Sequence, residues 1–180
     1  MRRRLSTITL LAALAAALVA FAGCGAEEEE FHGVEGEPLE LGELLYNVQI
    51  TRFLNPASIP DSNYLEGAEP LAEGEQYLAV FVRITNEGTE IEHVPEGFEI
   101  ESGRDETFEA LPIENAFAMP LGAEIAGEGQ IPEIDSPAAS GPIKGSMILF
   151  AIPEDATEDR PFELLIEGPD GEPGVVELDL

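Results

Sequence analysis

A two-residue alternation of apolar and polar side chains is the feature that most restricts how this chain can fold. In residues 44–51 the apolar side chains fall on alternate positions, which places them on one face of an extended strand. Similar runs occupy residues 98–101, 162–167 and 176–180, and residues 107–111 return after a turn at 102–105. No long segment after residue 38 keeps the 3.6-residue period of an amphipathic helix. The pattern therefore predicts an all-β chain.

Two further strands, at residues 76–85 and 146–152, are apolar on both faces. A single antiparallel sheet would leave one of those faces in water, so the pattern predicts two packed sheets. We expect a β-sandwich of about seven antiparallel strands. The side chains predicted to be buried are Leu78, Val80, Val82, Ile84, Ile148 and Phe150.

Two long, proline-containing connections interrupt the strands, at residues 55–74 and 112–144. Connections of this length inside a compact domain usually have a function or contain short elements of their own. Two interpretations stay open. The connections either cross the ends of the sandwich and cover its core, or form a binding surface.

The N-terminus has the layout of a secretory signal peptide, with Arg2, Arg3 and Arg4 before an uncharged run at residues 10–22. The small residues that precede Cys24 resemble the lipobox at which lipoprotein signal peptidase cleaves. Because Cys24 is the only cysteine and lies at this junction, we expect a signal peptide at 1–23 and lipid attachment on Cys24. The alternatives are an uncleaved transmembrane helix, for which the apolar run is short, and an ordinary secretory signal. The expected location is the outer face of the bacterial cytoplasmic membrane.

The charge of the exported part is strongly negative. After Cys24 the chain has 37 acidic residues and five basic ones, a formal charge of −32. Such a surface repels phosphate backbones, so no nucleic-acid partner is expected. Residues 24–38 include four consecutive glutamates and three glycines, and like charges in a row extend a chain. We therefore predict an acidic flexible tether at 24–38 and one sandwich domain at 39–180.

Several motifs along the predicted strands resemble a known family. The segment from Tyr77 to Gly88, the Phe98-Glu99-Ile100 strand leading to Gly103, and the segment from Gly145 to Pro153 followed by 161–166 resemble an immunoglobulin-like domain of unknown function, number 4352 in its series, found on bacterial lipoproteins. The resemblance spans roughly residues 40–180. It implies an immunoglobulin-like sandwich, an extracellular place and no catalytic role, and it transfers no functional residue. The two long connections and the extreme acidity depart from the family pattern.

Residues for catalysis or for binding a transition metal are sparse. The two histidines, His32 and His93, are far apart in sequence, and no Gly-x-Ser-x-Gly motif is present. We therefore expect no catalytic residues, no cofactor and no transition-metal site. Calcium takes oxygen ligands, and the weak calcium candidates are the acidic residues of one loop: Glu154, Asp155, Glu158 and Asp159.

The expected function is that of a lipid-anchored extracellular module that acts by binding or as a structural component of the envelope, without catalysis. Its expected partners are the membrane, through the lipid on Cys24, and an extracellular protein or envelope ligand. The alternative is a calcium- or ligand-dependent adhesion or envelope-sensing protein that uses the long connections. A hydrolase is the third class.

Overall fold

The computed structural model describes residues 30–180, which form a β-sandwich. Its helical elements are short: α1 (Ile59–Ser62), α2 (Pro137–Ser140) and a 3-10 helix (Asp155–Glu158). Within residues 30–180, no helix has the length and apolar content needed to cross a membrane. The strands are β1 (Phe31–Val34), β2 (Pro38–Leu41), β3 (Leu44–Leu54), β4 (Glu75–Asn86), β5 (Glu92–His93), β6 (Glu99–Ser102), β7 (Thr107–Glu109), β8 (Glu124–Ile125), β9 (Gln130–Ile131), β10 (Ser146–Pro153), β11 (Phe162–Glu167) and β12 (Pro173–Leu178).

Two sheets make up the sandwich. Sheet A has the order β1-β12-β11-β6-β7, and sheet B has the order β10-β4-β3-β2 with β9 beside the end of β4. Strands β5 and β8 form a separate ribbon. Every pair among the described strands is antiparallel except β1 with β12, which is parallel. The seven predicted strands correspond to β3, β4, β6, β7, β10, β11 and β12, so the predicted all-β sandwich is confirmed.

The main core lies between the facing sides of the two sheets. Sheet A contributes Phe162, Leu164 and Val176, and sheet B contributes the alternate residues of β4 and β10. All six side chains predicted to be buried are at most 3% exposed. The two-residue alternation therefore identified the face of each central strand that lies in the main core, because successive side chains in a strand point to opposite faces.

The outer face of sheet B is also buried, but the cover differs from the prediction. A second sheet can cover only one face of β4 and β10. The outward side chains Tyr77, Phe81 and Leu149 are instead covered by the two long connections. Short elements occur within those connections, among them α1 in the first and α2 in the second. The connections thus form a third layer against sheet B.

The prediction of a flexible tether at residues 24–38 is wrong for its second half, residues 31–38. Residues 31–34 form β1 and pair with residues 174–177 of β12, and β2 begins at Pro38. The sequence pattern missed β1 because this edge strand is held by main-chain hydrogen bonds while most of its side chains are exposed. Residues 24–29 lie outside the described residues.

Candidate functional site

The predicted lipid-attachment residue, Cys24, and the predicted signal peptide at residues 1–23 lie outside the residues that the structure describes. Both stay predictions. The candidate sites below are therefore built from residues 30–180 alone.

The acidic loop predicted as a weak calcium site surrounds the 3-10 helix that follows β10. Asp159 forms an ion pair with Arg104 at 2.7 Å, and its side chain is 5% exposed. Its backbone carbonyl accepts a hydrogen bond from the N–H of Gly103 at 2.7 Å. Gly103 has no room for a side chain, because a Cβ there would lie 2.6 Å from the carbonyl oxygen of Arg160. These contacts fasten the β6–β7 turn to the acidic loop.

The four candidates, Glu154, Asp155, Glu158 and Asp159, do not gather around a common point. Among residues 30–180, no group of three or more His, Cys, Asp or Glu side chains has a geometry that could hold a metal ion. Asp159 instead forms an ion pair with Arg104, and the other three candidates, Glu154, Asp155 and Glu158, are exposed. The structure therefore gives the calcium alternative no support at this loop.

The first long connection, residues 55–74, is fastened to sheet B through Asp61. One carboxylate oxygen of Asp61 accepts a hydrogen bond from the Arg52 guanidinium on β3 at 2.7 Å. The other accepts from the backbone N–H of Asn55 at 3.0 Å. Because the Asp61 side chain is only 6% exposed, removing Arg52 would leave a buried charge without its counter-ion, which is strongly unfavourable. This ion pair fixes the start of the connection.

Tyr64 links the two long connections. Its ring packs edge-on against Phe81 of β4, with centroids 5.2 Å apart, and against Phe117 of the second connection at 4.7 Å. The side-chain amide of Asn115 donates hydrogen bonds to the carbonyls of Tyr64 at 2.9 Å and Glu66 at 3.0 Å. The third layer is thus a connected structure over an apolar sheet face.

Between this layer and the end of sheet B lies a cavity of about 670 Å³, here called the loop cavity. Leu54 and Tyr77, on the outer face of sheet B, form its wall on the strands, and Leu65, Ala68 and Leu71 are the main apolar side chains on the loop. Phe53 also belongs to the lining, but its side chain packs against the main core on the other face of the sheet. A volume of this size, with mostly apolar walls and a few polar groups, is typical of small-molecule sites. The strand wall belongs to rigid elements, which hold a site more precisely than loops alone.

The polar groups of the loop cavity are few. The Tyr77 hydroxyl donates to the carbonyl of Glu69 at 2.5 Å, and burial raises the pKa of this hydroxyl above its usual value. One carboxylate oxygen of Glu75 accepts from the backbone N–H of Ala72 at 3.0 Å. Among residues 30–180, Glu75 and Glu154 are the only charged residues that line the cavity. Its electrostatic character is therefore negative.

Other hollows in residues 30–180 have a different character. One of about 620 Å³, on sheet A, is lined by five glutamates: Glu30, Glu96, Glu99, Glu109 and Glu167. Another of about 800 Å³ lies within the second long connection and has no aromatic residue in its lining. The loop cavity differs from the first because its lining has two glutamates in place of five, and from the second because its lining includes the aromatic residues Phe53 and Tyr77.

Sequence reasoning found only part of this site. It identified residues 55–74 as a possible binding surface, but it placed Tyr77 within a packed strand without a site. It also took the second apolar face of residues 76–85 to be covered by another sheet. The available signal was the need to cover that face, next to a connection that contains Tyr64, Leu65 and Leu71.

No protein-family model and no curated protein matches the sequence, so the resemblance to the domain family of unknown function stays a prediction. Among solved structures, the yjhA protein from Bacillus subtilis has a TM-score of 0.55 at 13% identity, over 82% of this chain and 99% of that chain. A "putative lipoprotein (ycdA)" from Bacillus subtilis has a TM-score of 0.51 at 13% identity, over 81% of this chain but only 38% of that chain. An uncharacterized beta-sandwich protein from Clostridium difficile has a TM-score of 0.49 at 14% identity, over 85% of this chain and 97% of that chain. The two Bacillus structures share the fold, and at this identity they show nothing more.

Proposed function

We propose that this chain is an exported, lipid-anchored β-sandwich that binds a ligand in the loop cavity and catalyses no reaction. The observation that carries the proposal is a cavity of about 670 Å³ with aromatic and aliphatic walls, held between the end of sheet B and an anchored connection. Pockets of this kind are the usual places where proteins bind small molecules.

The lipid anchor rests on the N-terminal sequence, and one solved structure of similar fold bears the description "putative lipoprotein". Glu30, where the described part begins, is the sixth residue after Cys24. Even fully extended, these six residue steps reach only about 20 Å. A lipid on Cys24 would therefore hold the domain close to the membrane.

The end of the sandwich nearest the anchor is defined by β1, whose first residue, Phe31, pairs with Gly174. The turn before β12 contacts Gly42, which lies between β2 and β3, so both sheets have this end in common. The loop cavity lies at the other end of β3, beside Leu54. An eleven-residue strand spans about 30 Å. The cavity would thus face away from the membrane and be open to extracellular ligands.

The described histidines support a non-catalytic role. His32 lies 2.9 Å from the Glu30 carboxylate, and the only hydrogen-bond partner of the His93 imidazole within residues 30–180 is the carbonyl of Gly122 at 3.4 Å. Neither arrangement is that of a base beside a nucleophile. A purely structural role for the domain is the competing proposal, and it requires no ligand.

The proposal is tested with Nile red, a neutral dye whose fluorescence rises in apolar sites. The dye is added in detergent-free buffer to residues 24–180 produced without the lipid, here called the mature chain. Leu71→Trp fills the loop cavity, and Ile59→Trp is the matched control because Ile59 lies on the same connection and is 83% exposed. We expect the dye to bind the unmodified chain and the Ile59→Trp variant, and to lose at least tenfold in affinity for the Leu71→Trp variant. Equal dye binding by all three proteins, or by none, would contradict the proposal, and circular dichroism would verify that both variants are folded.

A further inference from the structure

The charges around the loop cavity identify the chemical class of its ligand. Within the described part of the chain, its lining contains two carboxylates, Glu75 and Glu154, and no lysine or arginine. Arg52, on the adjacent strand β3, is already paired with Asp61 at 2.7 Å. An anionic ligand would therefore find no counter-charge in the lining, and the formal charge of −32 after Cys24 would oppose its approach.

The two carboxylates keep capacity for a cationic group. Of the two oxygens of Glu75, one accepts from the N–H of Ala72 at 3.0 Å, and the other has no hydrogen-bond partner among residues 30–180. The carboxylate of Glu154 is exposed and has no such partner in the same part of the chain. The hydrogen bonds that Glu154 makes there are those of its backbone N–H and carbonyl. Hydrogen bonds from an ammonium group to a carboxylate are about twice as strong as those between neutral groups.

The aromatic wall adds a second attraction for a cation. Tyr77 lines the same cavity as the two carboxylates, whereas the side chain of Phe53 packs against the main core. The face of an aromatic ring attracts a cation within about 6 Å of its centre. The remaining walls are aliphatic and suit an apolar body.

We propose that the loop cavity binds a small organic cation, a molecule with an apolar body and one ammonium group. The inference depends on the proposed function, because it assigns the ligand class of that same cavity. The apolar body would occupy the space between Leu65, Leu71 and Tyr77, and the ammonium group would lie at the side of Glu75 and Glu154.

The test compares three molecules of nearly equal shape, 3-phenylpropylammonium, 3-phenylpropanol and 3-phenylpropanoate, by isothermal titration calorimetry on the mature chain at 0.15 M NaCl. We expect the ammonium compound to bind at least tenfold more tightly than the alcohol, and the carboxylate to bind more weakly than the alcohol. The double variant Glu75→Gln/Glu154→Gln should remove the preference for the ammonium compound. A glutamine at position 75 keeps an oxygen that can accept from Ala72.

The matched control is Glu66→Gln/Glu158→Gln, which removes the same net charge from two exposed positions outside the lining. It should change the affinity for the ammonium compound by less than twofold. Equal affinities for the ammonium compound and the alcohol, or an equal loss of affinity for the ammonium compound in both double variants, would overturn the inference. Either result would leave the proposed function standing if Leu71→Trp still blocked dye binding. Failure of the dye experiment would remove both.

Discussion

Tyr46 offers a direct test of how the core is assembled, because its ring is buried while its hydroxyl has no hydrogen-bond partner among residues 30–180. The residue lies on β3, is 1% exposed and belongs to the main core. Within residues 30–180 its hydroxyl makes no hydrogen bond. Tyr77 is the natural comparison, since it is 6% exposed and its hydroxyl donates to the carbonyl of Glu69.

The two tyrosines should respond to the same substitution with opposite signs. A buried polar group without a partner costs about 1–3 kcal/mol, whereas a made hydrogen bond contributes about 1 kcal/mol. Tyr46→Phe keeps the ring and removes the unpaired hydroxyl, so the free energy of unfolding should rise by about 1 kcal/mol. Tyr77→Phe removes a made bond and should lower it by about 1 kcal/mol.

The pH dependence of stability provides a second measure of Tyr46. Burial, and then the nearby carboxylates of Glu172 and Glu92, raise the pKa of the Tyr46 hydroxyl well above its usual value of 10. Above pH 10 the unfolded chain loses this proton while the folded chain keeps it, so rising pH favours unfolding. One such group lowers the free energy of unfolding by up to about 1.4 kcal/mol per pH unit in that range. Tyr46→Phe should remove this contribution.

The assay is urea unfolding followed by circular dichroism at pH 7 and at steps from pH 9 to 11. The difference between the unmodified chain and Tyr46→Phe isolates the one hydroxyl, because all other alkaline groups are shared. A Tyr46→Phe variant that is less stable than the unmodified chain at pH 7, or that shows the same alkaline slope, would refute the reasoning.

Three further predictions concern the anchor, the core and the charge. Cys24→Ala should move the protein out of the membrane fraction or block its processing, and normal processing with unchanged membrane retention would contradict the lipoprotein interpretation. Phe150→Ala should lower the free energy of unfolding by about 3–5 kcal/mol, because Phe150 is fully buried. Ile134→Ala is the control and should change that free energy little, because the Ile134 side chain is 74% exposed. Equal effects of the two substitutions would argue against the position of Phe150 in the core. NaCl and CaCl₂ at matched ionic strength should raise the melting temperature equally, because screening weakens repulsion among exposed carboxylates regardless of the cation. A rise with submillimolar calcium alone would instead reveal a specific site.

The strand pattern predicted the sandwich because the alternation of apolar and polar residues, which determines the buried face of a strand, is visible in the sequence. Leu78, Val80 and Val82 share a face in any extended strand, whatever their neighbours are. The second face of β4, which includes Tyr77 and Phe81, is also apolar, so the sequence indicated that this face must be covered. It left open whether a second sheet or the two long connections would provide the cover.

The acidic loop at 154–159 shows where composition misled the prediction. A cluster of carboxylates is compatible with calcium, with solvent or with an ion pair, and composition alone does not distinguish them. The pairing of Asp159 with Arg104 depends on β6 lying beside β11, which brings the β6–β7 turn to the start of β11. That neighbour relation joins positions 55 residues apart in the chain.

By itself, then, the sequence determined the strong negative charge, seven of the strands and the faces that they bury, and it predicts export. Only the tertiary structure decided that β1 extends sheet A, that the two long connections lie on the outer face of sheet B rather than across the ends of the sandwich, and that a cavity remains between Leu71 and Tyr77. The physical reason is the range of the interactions. Alternation is a local property of the chain, whereas edge pairing through main-chain groups and the space left between packed layers depend on segments distant in sequence, whose contacts leave no periodic pattern.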